Sequence, residues 1–364
     1  MATSQGTWAY RDRFGDAFAR TYFRRFGPGV ASSVGLGTYL GEPTDAVDER
    51  YRESIVDALS AGINVVDTAI NYRHQRSERV VGEALEAADV DRQAVVVATK
   101  GGFVPFDGSP PDDPAAYVRS EFVDSGLLSA DDLARGSHAI APEFLDAMLD
   151  RSLTNLGVDT VDCYYVHNPE TQLQTRSREA VYDALEAAFE RLERRRTAGD
   201  IGGYGVATWN SFRVPRTHDA YLSLPEVVAR AESAAETVGL DDVGLTAVQL
   251  PFNVAMADAF TVAAHRHPDE ERDVSALEYA QAIGLDVVAS ATLAQGDLAR
   301  SIPAAVETEL SGETPAQRAI NFARSAPGVT TALVGTSSPA HVPENVAAGT
   351  FEPLGARAFD AVFE

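Results

Sequence analysis

The sequence predicts a (β/α)₈ barrel, in which eight parallel strands alternate with helices around a closed sheet. Three observations lead to this class of fold. Eight short apolar runs alternate with longer amphipathic stretches along the 364 residues. Most of these runs are apolar on both faces, as strands covered by helices should be. Several of the amphipathic stretches end in glycine, which favours the left-handed conformation that closes a helix.

The eight apolar runs are the predicted strands of the barrel. They are Val34–Tyr39, Asn64–Ala69, Ala94–Lys100, Val161–His167, Gly203–Trp209, Thr246–Phe252, Asp286–Ala291 and Thr330–Gly335. Helices are predicted from apolar residues at three-and-four spacing. The clearest are Pro142–Leu156, Ser177–Arg196, Pro225–Val238, Ser275–Ile283 and Thr314–Arg324. A doubly wound open sheet is the rival fold, but the glycines of Gly35–Gly41 have the wrong spacing for its nucleotide fingerprint.

Two segments fall outside the repeating units. Thr21–Arg25 and Val30–Ser33, around Gly27-Pro28-Gly29, predict a β-hairpin that closes the floor of the barrel;. The connection from Gly101 to Ala141 is unusually long and rich in proline and aromatic residues. Long connections in compact domains are often functional. This one is interpreted either as a substrate lid or as an insertion without a direct role.

Composition narrows the classes of function. The net charge of −24 repels nucleic acid and anionic lipid, so neither is expected as a partner;. Scattered carboxylates with almost no lysine are typical of a halophilic surface, which salt stabilises by screening the repulsion between its charges. The single cysteine, Cys163, cannot form an internal disulfide. Without a signal peptide or a membrane-spanning run, we expect one cytoplasmic domain over residues 1–364, with its core at about 20–350.

The ends of neighbouring strands carry a cluster of titratable residues. The one lysine of the chain, Lys100, ends the third apolar run. Asp67 ends the second run, Tyr72 follows it, and His167 ends the fourth. Each of these residues alone has an ordinary structural explanation, such as a cap or a core histidine. Active sites of such barrels lie at the carboxyl ends of the strands, so the four together favour a functional site.

This combination suits the protonation of an oxyanion. A tyrosine that exchanges a proton near neutrality must lower its pKa from about 10. A cation about 4 Å away contributes about 4 kcal/mol at an effective dielectric of about 20. Lys100 would supply this charge to Tyr72, and Asp67 would keep Lys100 ionised. A neutral His167 would hydrogen-bond to a carbonyl oxygen. The cluster contains no nucleophile of its own and needs an external hydride donor.

Longer motifs surround these residues. They are Gly62–Tyr72, Ser77–Leu85, the strand ending Thr99-Lys100, Leu153–His167, Gln249–Asn253, and Val334–His341 with Glu344-Asn345. In combination they make the sequence similar to the aldo/keto reductase superfamily over about residues 20 to 350. The resemblance implies that Tyr72 is the general acid/base, that Lys100 and Asp67 tune it, and that His167 orients the carbonyl. It also implies that NAD(P)(H) binds across the barrel mouth.

The resemblance carries over unevenly to the cofactor contacts. The positions that correspond to the family's cofactor contacts are Gly37, Thr38, Tyr39, Asp67, Thr208, Gln249, Gly335, Thr336, Ser337, His341 and Asn345. Gln249 matches the residue that binds the nicotinamide carboxamide. Ser290 stands where the family has a stacking aromatic residue. Gly335 and His341 stand where it has a basic pair for the adenosine 2′-phosphate. We therefore expect NAD, or use of both NAD and NADP.

The sequence thus predicts an oxidoreductase that acts on a small carbonyl or alcohol, such as an aldehyde, a ketone or a sugar, without a metal. Two other classes of protein are considered. One is a nicotinamide-binding regulatory subunit with vestigial catalysis. The other is a lyase that uses Lys100 as a Schiff-base amine. A metal site at His265 and His267 is weighed against a solvated acidic loop there. The sequence specifies neither the substrate nor the oligomeric state.

Overall fold

A computed structural model describes residues 1–363. Eight parallel strands close into a barrel, which confirms the predicted fold. In chain order these barrel strands are Val34–Gly37, Val65–Asp67, Val96–Gly101, Val161–His167, Ile201–Ala207, Leu245–Pro251, Asp286–Ser290 and Val329–Gly335. Every predicted apolar run overlaps one of them, with ends that differ by one to a few residues.

Helices follow the barrel strands and cover the outside of the sheet. In the same order they are Asp45–Ala61, Arg76–Ala87, Pro142–Leu156, Arg178–Ala198, Leu224–Val238, Ala276–Ile283, Pro315–Ser325 and Val342–Ala348. Gly62 and Gly157 end two of them in the left-handed conformation, with φ of +111° and +62°. The predicted glycine stops are therefore confirmed at both positions, where a side chain would be strained.

The predicted hairpin is also present. Its strands, Phe23–Phe26 and Gly29–Ser32, pair antiparallel. Ala31 packs with Val65, Val96 and other residues near the starts of barrel strands. The hairpin therefore closes the amino-terminal end of the barrel and leaves the opposite end open for a site.

A helix at the N-terminus, Ser4–Asp12, is absent from the sequence predictions. The Thr3 side chain accepts a hydrogen bond from the N–H of Gly6 and caps this helix. On its buried face, the Tyr10 hydroxyl donates to the Ile63 carbonyl oxygen over 3.1 Å. The helix thus depends on contacts with distant parts of the chain, because its own apolar pattern is weak.

The long connection after the third barrel strand is folded. It contains a short helix, Pro114–Val118, and its Phe122 is fully buried against Phe144, with 5.8 Å between ring centroids. Phe122 therefore anchors this segment on the helix Pro142–Leu156. Its first residues do reach the barrel mouth, through Phe103.

The remaining regular elements are short. They are the helices Asp258–Thr261, Ala304–Glu307 and Ala356–Ala361 and the strand pair His265–Arg266 and Asp273–Val274. No helix within residues 1–363 combines the length and the apolar character needed to cross a bilayer.

Candidate active site

The carboxyl ends of the barrel strands surround a cleft of about 530 Å³. This volume lies within the range of about 300–1,000 Å³ that is typical of small-molecule sites. Asp67, Tyr72 and His167 line the cleft directly. Lys100 lies just beneath them and is completely buried. Because the carboxyl ends of parallel barrel strands meet at one rim, the four residues singled out in the sequence lie close together.

Lys100 is the centre of the polar contacts in this group. Its ammonium forms an ion pair with the Asp67 carboxylate. It also donates to the Thr68 carbonyl oxygen over 2.8 Å and to the Tyr72 hydroxyl over 3.4 Å. Burial alone lowers the pKa of Lys100, but Asp67 and Tyr72 raise it by more, so the amine stays protonated.

Asp67 holds this ammonium in place from the end of the second barrel strand. One carboxylate oxygen faces Lys100, and the other accepts a hydrogen bond from the Gln249 side-chain amide over 2.8 Å. Burial raises the pKa of Asp67, although Lys100 and Gln249 oppose this change. Gln249 comes from the sixth barrel strand, so the contact crosses the barrel.

The Tyr72 phenol lies between the ammonium and the cleft. Lys100 Nζ is 4.9 Å from the centroid of its ring, and the Tyr39 ring packs edge-on at 5.0 Å. Burial raises the pKa of Tyr72, and the ammonium of Lys100 opposes it without reversing it. The expectation that Lys100 brings this pKa toward neutrality is therefore wrong for the free protein, because desolvation of the phenolate outweighs the attraction. Tyr72 is protonated at neutral pH.

His167 completes the cluster from the fourth barrel strand. Its ring lies edge-to-face with Tyr72, with 5.8 Å between centroids, and with Phe103, at 5.1 Å. Burial, then the charge of Lys100, lowers its pKa well below the usual value, so the ring is neutral at neutral pH. The His167 Nδ1 atom is buried without a hydrogen-bond partner among the described residues.

His138, from the long connection, fixes the backbone beneath His167. Its Nε2 lies 2.7 Å from the His167 carbonyl oxygen, and its Nδ1 lies 2.9 Å from the Gln172 amide nitrogen. Burial lowers the pKa of His138 to about 4. The ring is therefore neutral, and its Nε2–H can donate to the carbonyl while its Nδ1 accepts from Gln172.

Several of the predicted cofactor residues line the same cleft. They are Gly37, Thr38, Tyr39, Asp67, Thr208, Gln249 and Gly335. The Thr208 hydroxyl is buried without a partner among the described residues. No protein atom lies within 4 Å of the position that a Cβ on Gly37 would occupy. The cleft therefore offers open space at the end of the first barrel strand and an unpartnered hydroxyl across the barrel, after the fifth.

The other predicted cofactor residues lie outside the lining of the cleft. They are Thr336, Ser337, His341 and Asn345. Asn345 donates its side-chain amide to the Thr336 hydroxyl over 2.8 Å, and both side chains are buried. His341 is exposed. Their assignment to a cofactor thus stays a prediction from the resemblance alone.

The structure adds lining residues that the sequence analysis did not assign to the site. They include Leu40, Asn71, Phe103, Asn168, Trp209, Thr292, Leu293, Gln295 and Gly296. Asn71, Asn168 and Trp209 lie shortly after the ends of predicted strands, and this location in the sequence could have predicted them as site residues. The others lie farther along connections whose paths the sequence does not specify.

The alternative of a metal at His265 and His267 finds no support among the described residues, where no cluster of three or more candidate ligands occurs. The expected solvated loop is wrong for His265, which is buried. Its two ring nitrogens lie 3.2 Å from the Leu224 backbone nitrogen and 2.8 Å from the Phe212 carbonyl oxygen.

Curated relatives match parts of the chain. The NADH-specific methylglyoxal reductase of Escherichia coli is 30% identical over 141 residues, which are 37% of this chain and 38% of that protein. The D-threo-aldose 1-dehydrogenase of a Pseudomonas species is 30% identical over 174 residues, or 48% of each chain. The matched stretches thus span less than half of these relatives.

Solved structures match the fold over almost the whole chain. The aldo-keto reductase AKR11C1 from Bacillus halodurans superposes with a TM-score of 0.63 at 21% identity, covering 94% of this chain and 95% of that one. The glycerol dehydrogenase AKR11B4 from Gluconobacter oxydans gives 0.63 at 19% identity, with 95% of each chain covered.

The sequence model of the aldo/keto reductase family matches residues 33–363, from the residue before the first barrel strand to the last described residue. This range contains the complete barrel and the cluster of Asp67, Tyr72, Lys100 and His167. The chain therefore belongs to the aldo/keto reductase family.

Proposed function

We propose that this protein is an NAD(P)(H)-dependent oxidoreductase that transfers hydride between a nicotinamide and a carbonyl or alcohol carbon, with Tyr72 as general acid/base. The observation that carries the proposal is the contact of one buried ammonium, Lys100, with both the Asp67 carboxylate and the Tyr72 phenol. The phenol faces the cleft beside a neutral His167.

The proton moves through Tyr72. During reduction, the phenol gives its proton to the carbonyl oxygen as hydride reaches the carbonyl carbon, so the product is an alcohol. The phenolate that remains is stabilised by Lys100, whose own charge is stabilised by Asp67. During oxidation the phenolate accepts the hydroxyl proton. Reduction therefore needs the protonated form of Tyr72, and oxidation needs the deprotonated form.

His167 orients the substrate. Because burial keeps the ring neutral at neutral pH, one ring nitrogen can donate a hydrogen bond to the substrate oxygen that Tyr72 protonates. A donor that is already in place stabilises the negative charge developing on this oxygen. A second positive charge beside Lys100 would be unfavourable in the same buried site, which is a further reason for a neutral ring.

The residues that line the cleft suit a nicotinamide cofactor, which would supply or accept the hydride when bound. Gln249 donates its amide N–H to Asp67, so its carbonyl oxygen is available to a carboxamide group. The unpartnered Thr208 hydroxyl and Asn71 side-chain oxygen offer further polar contacts. The open space above Gly37 admits a flat group close to the backbone;.

We infer a preference for NAD, or use of both cofactors. Residues 325–356, which include the last barrel strand and the helix Val342–Ala348, contain neither lysine nor arginine. A 2′-phosphate there would lack the charge-assisted hydrogen bonds that arginine or lysine gives it. The similar proteins include one named for each cofactor. One relative is called NADH-specific, and a Klebsiella pneumoniae structure is described as a complex with NADPH.

The substrate class is a small aldehyde, ketone, sugar or polyol, and the direction in the cell is open. By their names, the relatives reduce methylglyoxal and oxidise an aldose. A Schiff-base lyase is disfavoured, because Lys100 is protonated, completely buried and held by Asp67 and the Thr68 carbonyl oxygen. We place the protein in a salt-rich, reducing cytoplasm, since its charge is −24 and Cys163 is buried and unpaired.

The test is a panel of aldehydes, ketones and sugars assayed with NADH and with NADPH, in the wild type and in Tyr72→Phe. We expect turnover of at least one substrate, with kcat/KM for NADH equal to or about tenfold above that for NADPH. Tyr72→Phe should lower kcat by about a thousandfold and leave cofactor affinity unchanged. Tyr117→Phe, which removes a phenol hydroxyl on the short helix Pro114–Val118 outside the cleft, is the matched control.

Three results would contradict the proposal or its parts. Retention of most activity in Tyr72→Phe would remove Tyr72 as the acid/base. A strong preference for NADPH would remove the inference about the cofactor. Tight nicotinamide binding without turnover of any substrate, in the wild type as in Tyr72→Phe, would favour the regulatory subunit.

A further inference from the structure

A second cleft opens beside the active site. Its volume is about 770 Å³, and Asn168 and Trp209 line both clefts. Three segments that are far apart in sequence form it: the end of the long connection, the stretch after the fourth barrel strand, and the stretch after the fifth. None of the residues assigned to the cofactor lines it. A group in this cleft would therefore belong to the substrate.

The charge of the second cleft is opposite to that of the whole chain. Arg135, Arg176 and Arg178 line it, against the two acids Glu170 and Asp219. The chain as a whole has 54 Asp and Glu residues against 30 Lys and Arg. Arginines thus outnumber acids among the residues that line this cleft, the reverse of the chain as a whole, and Arg176 has its own acidic partner just outside the lining.

The acidic residue nearest the shared wall is already engaged. One carboxyl oxygen of Glu170 accepts hydrogen bonds from the backbone N–H groups of Trp209 and Asn210, at 2.7 and 2.9 Å. Burial raises the pKa of Glu170, and the two backbone N–H groups oppose this change. Glu170 therefore has its carboxyl group fixed to the backbone of the wall between the clefts.

Two of the arginines have guanidinium groups that are free to bind a ligand. No carboxylate within residues 1–363 forms an ion pair with Arg135 or Arg178, whereas Arg176 pairs with Asp132 at 3.0 Å. Arg178 is held by one hydrogen bond, from its Nε to the Tyr221 carbonyl oxygen over 2.9 Å. Its guanidinium also lies 5.7 Å from the centroid of the Tyr221 ring. These contacts fix the group and leave its terminal nitrogens available.

Arg135 is held at the tip of a tight turn. Its φ is +52°, in the left-handed region that non-glycine residues seldom adopt;. The turn is closed by hydrogen bonds between the backbones of Ala134 and His138, at 2.8 and 3.2 Å. His138 is the residue that contacts the His167 carbonyl oxygen. The same turn therefore connects Arg135 to the catalytic histidine.

We propose that the second cleft is a subsite for an anionic group, a carboxylate or a phosphate, at the far end of the carbonyl substrate. Arg135 and Arg178 bind this anion, and the half-exposed indole of Trp209 contacts the carbon chain that joins it to the reacting carbonyl. Trp209 is 40% exposed. This inference rests on the proposed function and extends it, because it makes the preferred substrate an oxo acid or a phosphorylated sugar.

The test compares substrates that differ only in charge. A series of ω-oxo acids of increasing chain length is assayed at fixed ionic strength, each beside its ω-oxo amide, which has the same shape and no charge. We expect kcat/KM for the acid to exceed that for the amide by about tenfold at the chain length that spans the two clefts. A phosphorylated sugar aldehyde beside its unphosphorylated form distinguishes phosphate from carboxylate.

Matched variants test whether the preference for the acid arises in the second cleft. Arg135→Gln and Arg178→Gln should each reduce the preference for the acid by about fivefold and leave kcat/KM for the amide unchanged. Arg25→Gln makes the same change of charge on the exposed hairpin at the barrel floor and should leave both values unchanged. Equal rates for acid and amide in the wild type would overturn the subsite. A loss of activity toward both substrates in the variants would do the same.

A binding measurement keeps this inference separate from the proposed function. Calorimetric titration with succinate, which needs no turnover, should give a dissociation constant that rises about tenfold or more in the double variant of Arg135→Gln and Arg178→Gln. If no aldehyde is turned over but succinate binding depends on the two arginines, the proposed function fails and the subsite stands. If amides are reduced and succinate binds both proteins equally, the subsite fails and the proposed function stands.

Discussion

Two cations are buried at opposite ends of the barrel, and their partners differ. At the open end, Lys100 contacts a carboxylate and a phenol, both of which can change their protonation state. At the floor, the fully buried Arg324 donates to the Ser33 hydroxyl over 3.0 Å and to the Phe351 carbonyl oxygen over 2.7 Å.

The hydroxyl and carbonyl groups that contact Arg324 do not gain or lose protons in the pH range in which a protein is folded. Burial lowers the pKa of Arg324 to about 10, which still leaves it charged at neutral pH. The floor thus holds a fixed charge that joins segments distant in sequence. The open end holds a charge whose neighbours can exchange protons. Burial alone does not distinguish a catalytic cation from a structural one, whereas the chemistry of its partners does.

The largest expected effect is that of Lys100→Met. Removing the ammonium leaves the phenolate of Tyr72 without its stabilising charge, so kcat/KM should fall by about a thousandfold. The double variant with Asp67→Asn also removes the carboxylate that would otherwise be buried without a counter-charge, so it should be more stable than Lys100→Met and equally inactive. Steady-state rates and thermal melting check both statements. More than a tenth of wild-type activity in a folded Lys100→Met protein would contradict the comparison.

Arg324→Met should affect stability and leave the chemistry unchanged. It leaves the Phe351 carbonyl oxygen and other buried acceptors without donors, so the free energy of unfolding should fall by about 3 kcal/mol. The kcat/KM of the folded fraction should equal that of the wild type. Denaturant unfolding measures the first quantity, with the exposed Arg25→Met as a control that changes stability by less than about 0.5 kcal/mol. A specific loss of catalysis at full stability would mean that the floor is coupled to the active site.

The two ends of the barrel also differ in what the sequence reveals. Lys100 and Asp67 are found from the sequence, because each ends an apolar run and strand ends converge at one rim. Arg324 is not, since its partner Thr21 lies about 300 residues away and nothing near Arg324 in sequence marks it as buried. The net pKa of Tyr72 also escapes sequence analysis, because it depends on how completely the fold removes water from the phenol.

The second cleft and the N-terminal helix also could not be predicted from the local sequence. The second cleft is formed by three connections whose paths follow from packing, so Arg135 and Arg178 carry no sequence signal of their own. The helix Ser4–Asp12 is too short and too weakly amphipathic to be predicted without its contacts, such as that between Tyr10 and Ile63. In contrast, all eight barrel strands follow from local patterns that the rest of the fold supports.

A smaller effect is expected from salt, which acts on the exposed charges and not on the two buried cations. With a net charge of −24, carboxylates repel one another when screening is removed;. The melting temperature should fall by about 5 °C or more between molar and millimolar salt. Arg324→Met should show a parallel curve, displaced to lower temperature. A wild-type melting temperature that is independent of salt would contradict the halophilic interpretation. If the melting temperature of Arg324→Met alone were independent of salt, the salt effect would arise at the barrel floor.

The central claim is that the ammonium of Lys100 makes the Tyr72 phenol easier to deprotonate in the active site. The most direct test is the pH dependence of kcat/KM for alcohol oxidation in the wild type and in Lys100→Met. Oxidation needs the phenolate, so its rate should rise with pH up to the pKa of Tyr72, which burial raises and Lys100 lowers;. The account predicts that the rise moves to higher pH, by about one unit or more, in Lys100→Met. An identical pH profile in the two proteins would contradict it.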